Sequence, residues 1–317
     1  MYRQRADGDN AGIAAELTAV IVAVTDGEPR VLTIDHGEAL PAGPFEPGHR
    51  SLQAGLRAWV ETQTRHPLGY VEQLYTFADL DRKKEALGRS VSVSYLGLTR
   101  EAPAGGAWDA SWTPWYRFFP WEDLRCTNIA LAETVLGPAL LHWAEAAGDT
   151  GTVRARTRRV EINFGLGGQK WNEELVLQRY ELLWEAGLVA EAPGHAGGLS
   201  DALTAALGRP MQHDHRRILA TGVARLRAKI KYRPVVFELM PPTFTLLQLQ
   251  RTVEALGGRL LHKQNFRRLI DQQDLVEETG GVTTDTGGRP AKLFRFRGEV
   301  LAERQITGTK LPLVRAV

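Results

Sequence analysis

Cysteine is almost absent from this 317-residue chain, because Cys126 is the only one. A single cysteine excludes an internal disulfide framework and any zinc site built from several cysteines. Long apolar runs are also missing, and no stretch approaches the length of about 20 residues that crosses a bilayer. Residues 1–12 lack the apolar core of a signal peptide. We therefore expect a flexible N-terminus, a reducing cytoplasmic location and no membrane partner.

Basic and acidic residues are unevenly divided along the chain. The stretch from His213 to the C-terminus has 19 Lys and Arg against 10 Asp and Glu, a net charge of +9, whereas the rest carries −7. A basic C-terminal third indicates a module that binds a polyanion such as nucleic acid. A solvated basic surface without a partner is an equally open interpretation of charge alone.

Strands and helices alternate over residues 13–212, which predicts an α+β domain. The apolar runs of Leu17–Ile34 flank Asp26-Gly27 and predict a β-hairpin. Leu52, Leu56 and Val60 recur at helical spacing. The stretches "GYVEQLYTFADL" and "SVSVSYLGLT" read as strands, and those over 128–147 and 171–189 read as helices. We expect residues 101–121 to be irregular and 192–212 to be a connection.

The C-terminal third has the pattern of a winged helix. A basic amphipathic helix over 213–233 would link it to the preceding domain. Thr245 and Gln248 form a capping box at the start of one helix, and Gly257-Gly258 ends it. A second helix follows with Phe266, Leu269 and Ile270 inward. The stretch "LVEETGGVTTDTGGRPAKLFRFRG" then predicts two strands around a glycine-rich loop, so residues 234–317 form a helix-turn-helix with a wing.

The free face of the second predicted helix has side chains that read base edges. Arg and Lys pair with guanine in the major groove, and Asn and Gln pair with adenine. Basic residues of the wing and linker would contact phosphates. The expected DNA-binding residues are Arg227, Lys231, Thr245, Lys263, Gln264, Asn265, Arg267, Arg268, Arg289 and Lys292. Two alternatives stay open, a plain helical bundle with solvated arginines and a winged helix that binds another protein.

Several of these stretches together resemble one family. "GYVEQLYTFADLDR", "SVSVSYLGLT", "KQNFRRLI" and "GGRPAKLFRFRG" resemble the NrtR/NadQ group of NAD-metabolism regulators, and the middle of the chain is closer to the NadQ branch. The resemblance implies a Nudix-like α/β/α sandwich, an α+β fold, followed by a winged helix. It also implies a repressor of NAD biosynthesis or salvage genes. A homodimer with two recognition helices would bind a palindromic operator.

The stretch "GPFEPGHRSLQAGLRAWVETQT" occupies the place of the Nudix catalytic box in this resemblance. Gly43, Arg57 and Glu61 match its pattern. Other positions depart from it, since His49, Ala58 and Thr62 replace carboxylates and Thr64 replaces a glycine. Nudix hydrolysis needs several carboxylates to hold divalent cations against a diphosphate. We therefore expect no catalytic residue, no metal and no cofactor. An alternative is an active nucleotide-diphosphate hydrolase with an accessory nucleic-acid domain.

The resemblance implies that the altered domain senses a nucleotide effector such as NAD, ADP-ribose or ATP. An effector pocket needs stacking groups and a few cations, which are expected from Arg57, Glu61, Tyr75, Phe77, Arg82 and Arg89. Other roles compete with this one. Arg57 and Glu61 have the spacing of a surface ion pair on a helix. Tyr75 and Phe77 are equally interpretable as core residues, and Arg82 as part of a solvated loop.

Overall fold

The structure is a computed structural model that describes residues 14–69, 71–78, 90–104, 108–125, 131–195, 197–232, 235–284 and 290–298. It shows a Nudix-like domain with a mixed sheet, followed by a C-terminal winged helix. Within the described ranges, no helix has the length and hydropathy of a membrane span. Cys126 and the predicted loop "RKKEALGR", with Arg82 and Arg89, lie outside the described residues.

The N-terminal sheet is built around the predicted hairpin. Strands β1 (Ala14–Thr25) and β2 (Glu28–Thr33) pair antiparallel. The turn residues Asp26 and Gly27 have φ of 53° and 74°, the left-handed conformation that two-residue hairpin turns require. Strand β3 (Ala42–Pro44) follows, then helix α1 (Leu52–Thr64) and strands β4 (Val71–Phe77), β5 (Ser90–Leu98) and β6 (Ser111–Pro114). The order is β4-β5-β1-β2-β6, with β3 beside β1 and only β1 and β5 parallel.

Alternate residues of β1 enter two hydrophobic cores, because successive side chains of a strand point to opposite faces. Leu17 and Ile21 pack with Leu56 and Val60 of α1 on one face. Val20 and Val22 join the large core on the other face, which helices of the later part of the chain cover. Residues 17–23 of β1 are therefore buried on both faces, which explains the continuous apolar sequence there.

A helical segment separates the sheet from the linker helix. It contains a π-helical turn over Ala132–Leu136 and helices α2 (Gly137–Glu145), α3 (Thr150–Phe164), α4 (Val176–Glu185) and α5 (Asp201–Leu207). Four elements, β3, β6, α3 and α5, were not predicted from the sequence. Helix α3 has mixed arginines and few apolar residues, but Asp149 caps its N-terminus through the amide of Thr152. Helix α5 begins at the similar cap Ser200. Such caps can be recognised in sequence. A helix with few apolar residues, such as α3, or a very short one, such as α5, lacks the apolar periodicity by which a helix is predicted.

The winged helix has the predicted order of elements. The linker helix α6 (His215–Tyr232) leads to α7 (Leu246–Gly257), α8 (Lys263–Gln273), β7 (Val276–Thr283) and β8 (Ala291–Phe296). The reciprocal capping box of Thr245 and Gln248 is confirmed. Phe266 and Ile270 are buried as predicted. The inward placement of Leu269 is wrong, since this side chain is 49% exposed. It lies one position before Ile270 on a helix that buries a narrow i,i+4 stripe.

A buried group of charged side chains joins the two domains. Glu122 lies in the 3-10 turn Pro120–Glu122, between Arg179 of α4 and Arg227 of α6. Its carboxylate accepts from Arg179 Nε at 2.5 Å and Nη2 at 2.9 Å, and from Arg227 Nη1 at 2.5 Å. Arg179 also donates to the carbonyls of Asn163 and Asn172, both at 2.9 Å. These bonds supply the partners that buried charges need.

Tyr116 completes this group, and the four residues Tyr116, Glu122, Arg179 and Arg227 are called the junction cluster below. Tyr116 Oη donates to the carbonyl of Ala255 at 2.6 Å, and Arg227 Nε donates to that of Leu256 at 2.9 Å. Both carbonyls lie in the last turn of α7, where a helix leaves its carbonyls without intrahelical partners. The sheet domain therefore caps the end of a winged-helix element.

The carboxyl of Glu122 has a lowered pKa. Burial alone would raise it, but the charges of Arg179 and Arg227 and their hydrogen bonds outweigh burial. A group with a depressed folded pKa stabilises the fold above its unfolded pKa, about 4.3 for glutamate. That contribution is lost as pH falls from about 4 through the folded pKa.

We predict that Glu122→Gln lowers the free energy of unfolding by about 3–5 kcal/mol at pH 7, because it leaves two guanidinium groups buried without a counter-charge. Urea unfolding of the whole chain measures this. The matched control is Glu185→Gln, which breaks the exposed pair with Arg159 and should cost under about 1 kcal/mol. The difference between parent and Glu122→Gln should shrink at pH 3. An equal difference at pH 7 and pH 3 would contradict the assigned pKa direction.

Candidate nucleic-acid interface and effector site

The second helix of the helix-turn-helix presents one continuous polar face. Phe266 and Ile270 fix α8 against the domain core. This leaves the opposite face in solvent, with five exposed residues at its start and middle: Lys263, Gln264, Asn265, Arg267 and Arg268. Among the described residues, the cations of this face form no ion pair with a carboxylate. Such a face has the donors and acceptors for base edges and phosphates in a major groove.

Two cations of the wing, Lys292 and Arg295, are paired with glutamates, which partly neutralises the positive charge that the sequence indicates. Across the β7–β8 ladder, Lys292 Nζ donates to both carboxylate oxygens of Glu278, at 2.8 and 3.0 Å. Arg295 Nε donates to Glu277 Oε1 at 2.7 Å. These cross-strand pairs are exposed, so a phosphate could compete with the glutamates for the cations. Arg289 lies outside the described residues.

Two residues predicted to contact DNA have other roles. Arg227 is buried in the junction cluster, where its guanidinium donates to Glu122 and to backbone carbonyls. Thr245 is buried too, and its hydroxyl accepts the amide of Gln248 to cap α7. Both predictions were wrong because a basic or polar residue near a DNA-binding motif need not face solvent. Lys231 belongs to the last turn of α6, but its side chain lies outside the described residues.

The loop and helix at the place of the Nudix box are held together by neutral side chains. Gln63 of α1 accepts from the amide of Ala42 at 3.1 Å and donates to its carbonyl at 2.8 Å. Trp59 Nε1 donates to the carbonyl of Pro44 at 2.9 Å. A Cβ on Gly43 would lie 2.4 Å from the Trp59 ring, so only glycine fits under this indole. The loop–helix shape is therefore kept without its carboxylates.

The remaining polar groups of this box do not form a metal site. His49 Nδ1 accepts from the amide of Glu46 at 3.0 Å, and its ring lies between Phe45 and Trp59. Glu61 is exposed on α1. In the described part of the chain, no group of three or more His, Cys, Asp or Glu residues could hold an ion. Glu61 is the one carboxylate at a position of the catalytic pattern, and alone it supplies neither the charge nor the coordination of a Mg²⁺ site.

The predicted effector residues are split between the two faces of the sheet. Arg57 and Glu61 lie on α1, on one face. Arg57 does not pair with Glu61 but donates to the carbonyls of Leu68 and Gly69. Phe77 is buried in the core of the opposite face, and its ring lies 4.8 Å from that of Tyr75. Among the four described members of this set, no single pocket brings all of them together.

Phe77 is covered by an arginine of the linker helix. The guanidinium of Arg217 lies 4.6 Å from the Phe77 ring and also pairs with Glu181 and Asp214. Because Arg217 and the core enclose its ring, Phe77 is not available to stack on a nucleotide. The effector role of Phe77 was therefore wrong, and the alternative of core packing is confirmed. Tyr75 beside it is 57% exposed.

The sequence analysis missed an aromatic residue on the same face as α1. Trp112 of β6 is half-buried, with its Nε1 donating to the carbonyl of Ala102 at 2.8 Å. The rings of His66 and Trp112 are nearly perpendicular, with centroids 5.6 Å apart. Burial lowers the pKa of this histidine, which favours its neutral form. A shallow cavity opens over Trp112, lined by Glu101, Ala102, Pro103, Ala104, Ala110 and Ser111.

This surface, called the Trp112 shelf below, combines a half-buried indole with a shallow cavity. A partly exposed indole can stack on a planar base. Glu101 at its edge is paired with Arg30 of β2 at 3.2 Å. The helix α1 and the loop that Arg57 anchors through Leu68 are on the same face of the sheet. The signal in sequence was the stretch 101–121, which is rich in Trp, Pro and Gly and for which an irregular structure was predicted.

Known proteins resemble both parts of this chain. Residues 236–296 match the family model of the NrtR DNA-binding winged helix domain. The "ADPR responsive transcriptional repressor NtrR" of Acinetobacter baylyi is 40% identical over 94 residues, which are 30% of this chain and 37% of that protein. The alignment thus spans little more than a third of the relative's length.

Solved structures show the same overall fold. Shewanella oneidensis NrtR has a TM-score of 0.52 at 20% identity, over 89% of this chain and 94% of that one. Its complex with a 27mer DNA gives 0.50 at 20% identity, over 91% and 95%. A MutT/nudix family protein from Enterococcus faecalis gives 0.52 at 15% identity, over 92% and 90%. At these identities the likeness establishes the arrangement of a Nudix-like domain and a winged helix.

We predict that Arg267→Ala or Arg268→Ala weakens specific DNA binding by about 1–3 kcal/mol if the side chain reads a base. Fluorescence anisotropy on specific and random duplexes measures this. Arg154→Ala is the charge-matched control, because Arg154 is exposed on α3 in the other domain. Equal losses on both duplexes would assign a phosphate contact. Unchanged binding by both variants would remove α8 from the interface.

Proposed function

We propose that this protein is a DNA-binding transcriptional repressor of NAD biosynthesis or salvage genes. The observation that carries the proposal is the exposed Lys, Gln, Asn and Arg face of α8 within a domain that matches the NrtR DNA-binding winged helix. The likeness to a repressor from Acinetobacter baylyi supports the same activity. The NadQ branch and control of NAD genes remain expectations from the sequence resemblance, and a cytoplasmic location remains an expectation from the low cysteine content.

The operator is proposed to be palindromic and bound by a homodimer. Two recognition helices must reach successive major grooves on one side of the duplex, about 34–36 Å apart. The exposed residues of α8 would read bases, while Lys292 and Arg289 would contact phosphates once the wing exchanges its glutamate partners for DNA. Each phosphate contact releases counterions, so binding must weaken as salt rises.

A binding assay on the DNA upstream of NAD biosynthesis genes of the same genome tests this proposal. We expect affinity at least about a thousandfold above that for random DNA, the lower end for specific regulators at physiological salt. Titrations at several salt concentrations should give a negative log–log slope. Equal affinity for upstream and random DNA would overturn the assignment as a specific repressor.

The Nudix-like domain is proposed to bind the effector, with ADP-ribose as the first candidate and NAD and ATP as others. The curated relative is named as ADPR responsive. We place the base of the nucleotide on the Trp112 shelf, with α1 and its Arg57-anchored loop on the same face. Effector binding must favour one of two arrangements of the DNA-binding heads to change operator affinity. No cofactor is required.

We predict that Trp112→Ala abolishes thermal stabilisation by ADP-ribose, because it removes the stacking surface. A ligand at a hundred times its Kd stabilises the parent by about 2.7 kcal/mol, a shift of several degrees. Trp108→Ala is the matched control, since Trp108 is an exposed tryptophan of the same loop region. Loss of the shift in Tyr75→Ala with retention in Trp112→Ala would move the site to the other face.

The alternative of an active nucleotide-diphosphate hydrolase is distinguished by incubation with ADP-ribose and Mg²⁺. The proposal expects no turnover, because Glu61 stands alone where a group of carboxylates is needed. Turnover that disappears in Glu61→Gln would establish the hydrolase instead.

A further inference from the structure

The junction cluster makes contacts that would fix the helix-turn-helix to the sheet domain. Three carbonyls at the end of α7 accept hydrogen bonds, two from the sheet domain and one from the linker helix α6. Tyr116 Oη donates to Ala255 at 2.6 Å, Arg227 Nε to Leu256 at 2.9 Å, and the Leu124 amide to Gly258 at 2.8 Å. These are the carbonyls that a helix end leaves to be satisfied from outside. The turn before the recognition helix is therefore held by direct bonds.

Gly258 makes this close approach sterically possible. It ends α7 with a φ of 68°, the left-handed conformation that glycine adopts without strain. A Cβ at this position would lie 2.2 Å from the carbonyl oxygen of Glu122. Both the conformation and the missing side chain are needed, so the α7–α8 turn fits against the 3-10 turn of Glu122 in one position.

The side chains of the junction cluster are held in place because the buried carboxylate of Glu122 is bonded by both Arg179 and Arg227. Glu122 and Arg227 are each almost fully buried. Moving α7 away would leave Tyr116 Oη and Arg227 Nε without the carbonyls of Ala255 and Leu256 that they bond, in a site that is buried from water. Shifts of less than an ångström at such packed contacts can move a whole helix or strand. The reason is that a packed interface switches between discrete arrangements of its helices and strands and does not deform continuously.

The cluster is also joined to the sheet by a short length of chain. Strand β6 carries Trp112 and ends at Pro114, and Tyr116 follows two residues later. Trp115 between them is fully buried in the large core, so this short segment cannot slide freely. A displacement of β6 by a ligand on the Trp112 shelf would reach Tyr116 through four residues of chain.

We propose that the junction cluster is the coupling element of this protein, which makes the helix-turn-helix follow the position of β6. Tyr116 and Arg227 are positioning residues that hold the end of α7 and contact neither DNA nor ligand. The role in effector response rests on the proposed function above. The rigid attachment of α7 to the 3-10 turn of Glu122 is independent of the proposed function, because it is a property of the chain without ligand or DNA.

Tyr116→Phe is the variant that tests the attachment, because it removes one hydroxyl and keeps the ring and the buried charges. Hydrogen exchange of the full chain, without ligand or DNA, is the measurement. We expect the amides of α7 and α8 and those of residues 115–125 to exchange about fivefold faster, the effect of one hydrogen bond of about 1 kcal/mol. Unchanged exchange in α7 and α8 would overturn the proposal.

Ser200→Ala is the control for general destabilisation. It removes the hydroxyl that caps α5 through the amide of Leu203, at a typical cost of about 1 kcal/mol. Its faster exchange should stay in α5 and leave α7 and α8 as in the parent. Equal acceleration of α7 and α8 by both variants would show that these helices respond to stability alone, and would also overturn the proposal.

Operator affinity with and without ADP-ribose tests the transmission. We expect Tyr116→Phe to bind operator DNA and ADP-ribose, each alone, with affinities within about twofold of those of the parent. The ratio of the operator affinities measured with and without ADP-ribose should fall toward one. Such coupling is about 5–150-fold in allosteric proteins. A parent-sized effect in the variant would overturn the transmission. A parent that binds no operator, or shows no ADP-ribose effect, would count against the proposed function, and hydrogen exchange would still decide the attachment.

Discussion

The arrangement of this molecule depends on one buried carboxylate. Glu122 lies between two guanidinium groups that come from α4 and α6, in a site closed to water. A lone glutamate could not stay charged there, and two lone arginines would repel each other. Together they allow the sheet, the helical segment and the linker helix to meet at one point. The end of α7 then attaches to that point through its free carbonyls.

This attachment means that the winged helix is not joined to the sheet domain by a flexible linker alone. A winged helix joined by a flexible linker would bind DNA independently of whatever the other domain senses. Here α6 runs directly from the sheet domain toward the winged helix and contributes Arg227 to the junction. The exposed face of α8 is then placed with respect to the sheet, which the proposed response to a ligand requires.

The altered Nudix box shows that a loop–helix shape can be kept by different chemistry. Gln63 and Trp59 hold the loop by bonds to backbone groups and by ring packing over Gly43. These contacts need no metal, and they hold α1 against strand β3. Under the proposed function, this face of the sheet binds a nucleotide without hydrolysing it.

Sequence by itself determined the elements whose local signals are strong. The Asp26-Gly27 hairpin, the capping box of Thr245 and the burial of Phe266 and Ile270 follow from turn, cap and period rules that act within a few residues. Only the tertiary structure decided the fate of Arg227, Phe77 and Trp112. A basic residue on a helix looks the same in sequence whether it meets DNA or a buried glutamate 105 positions away. Burial and partners depend on contacts between distant segments, which no local pattern records.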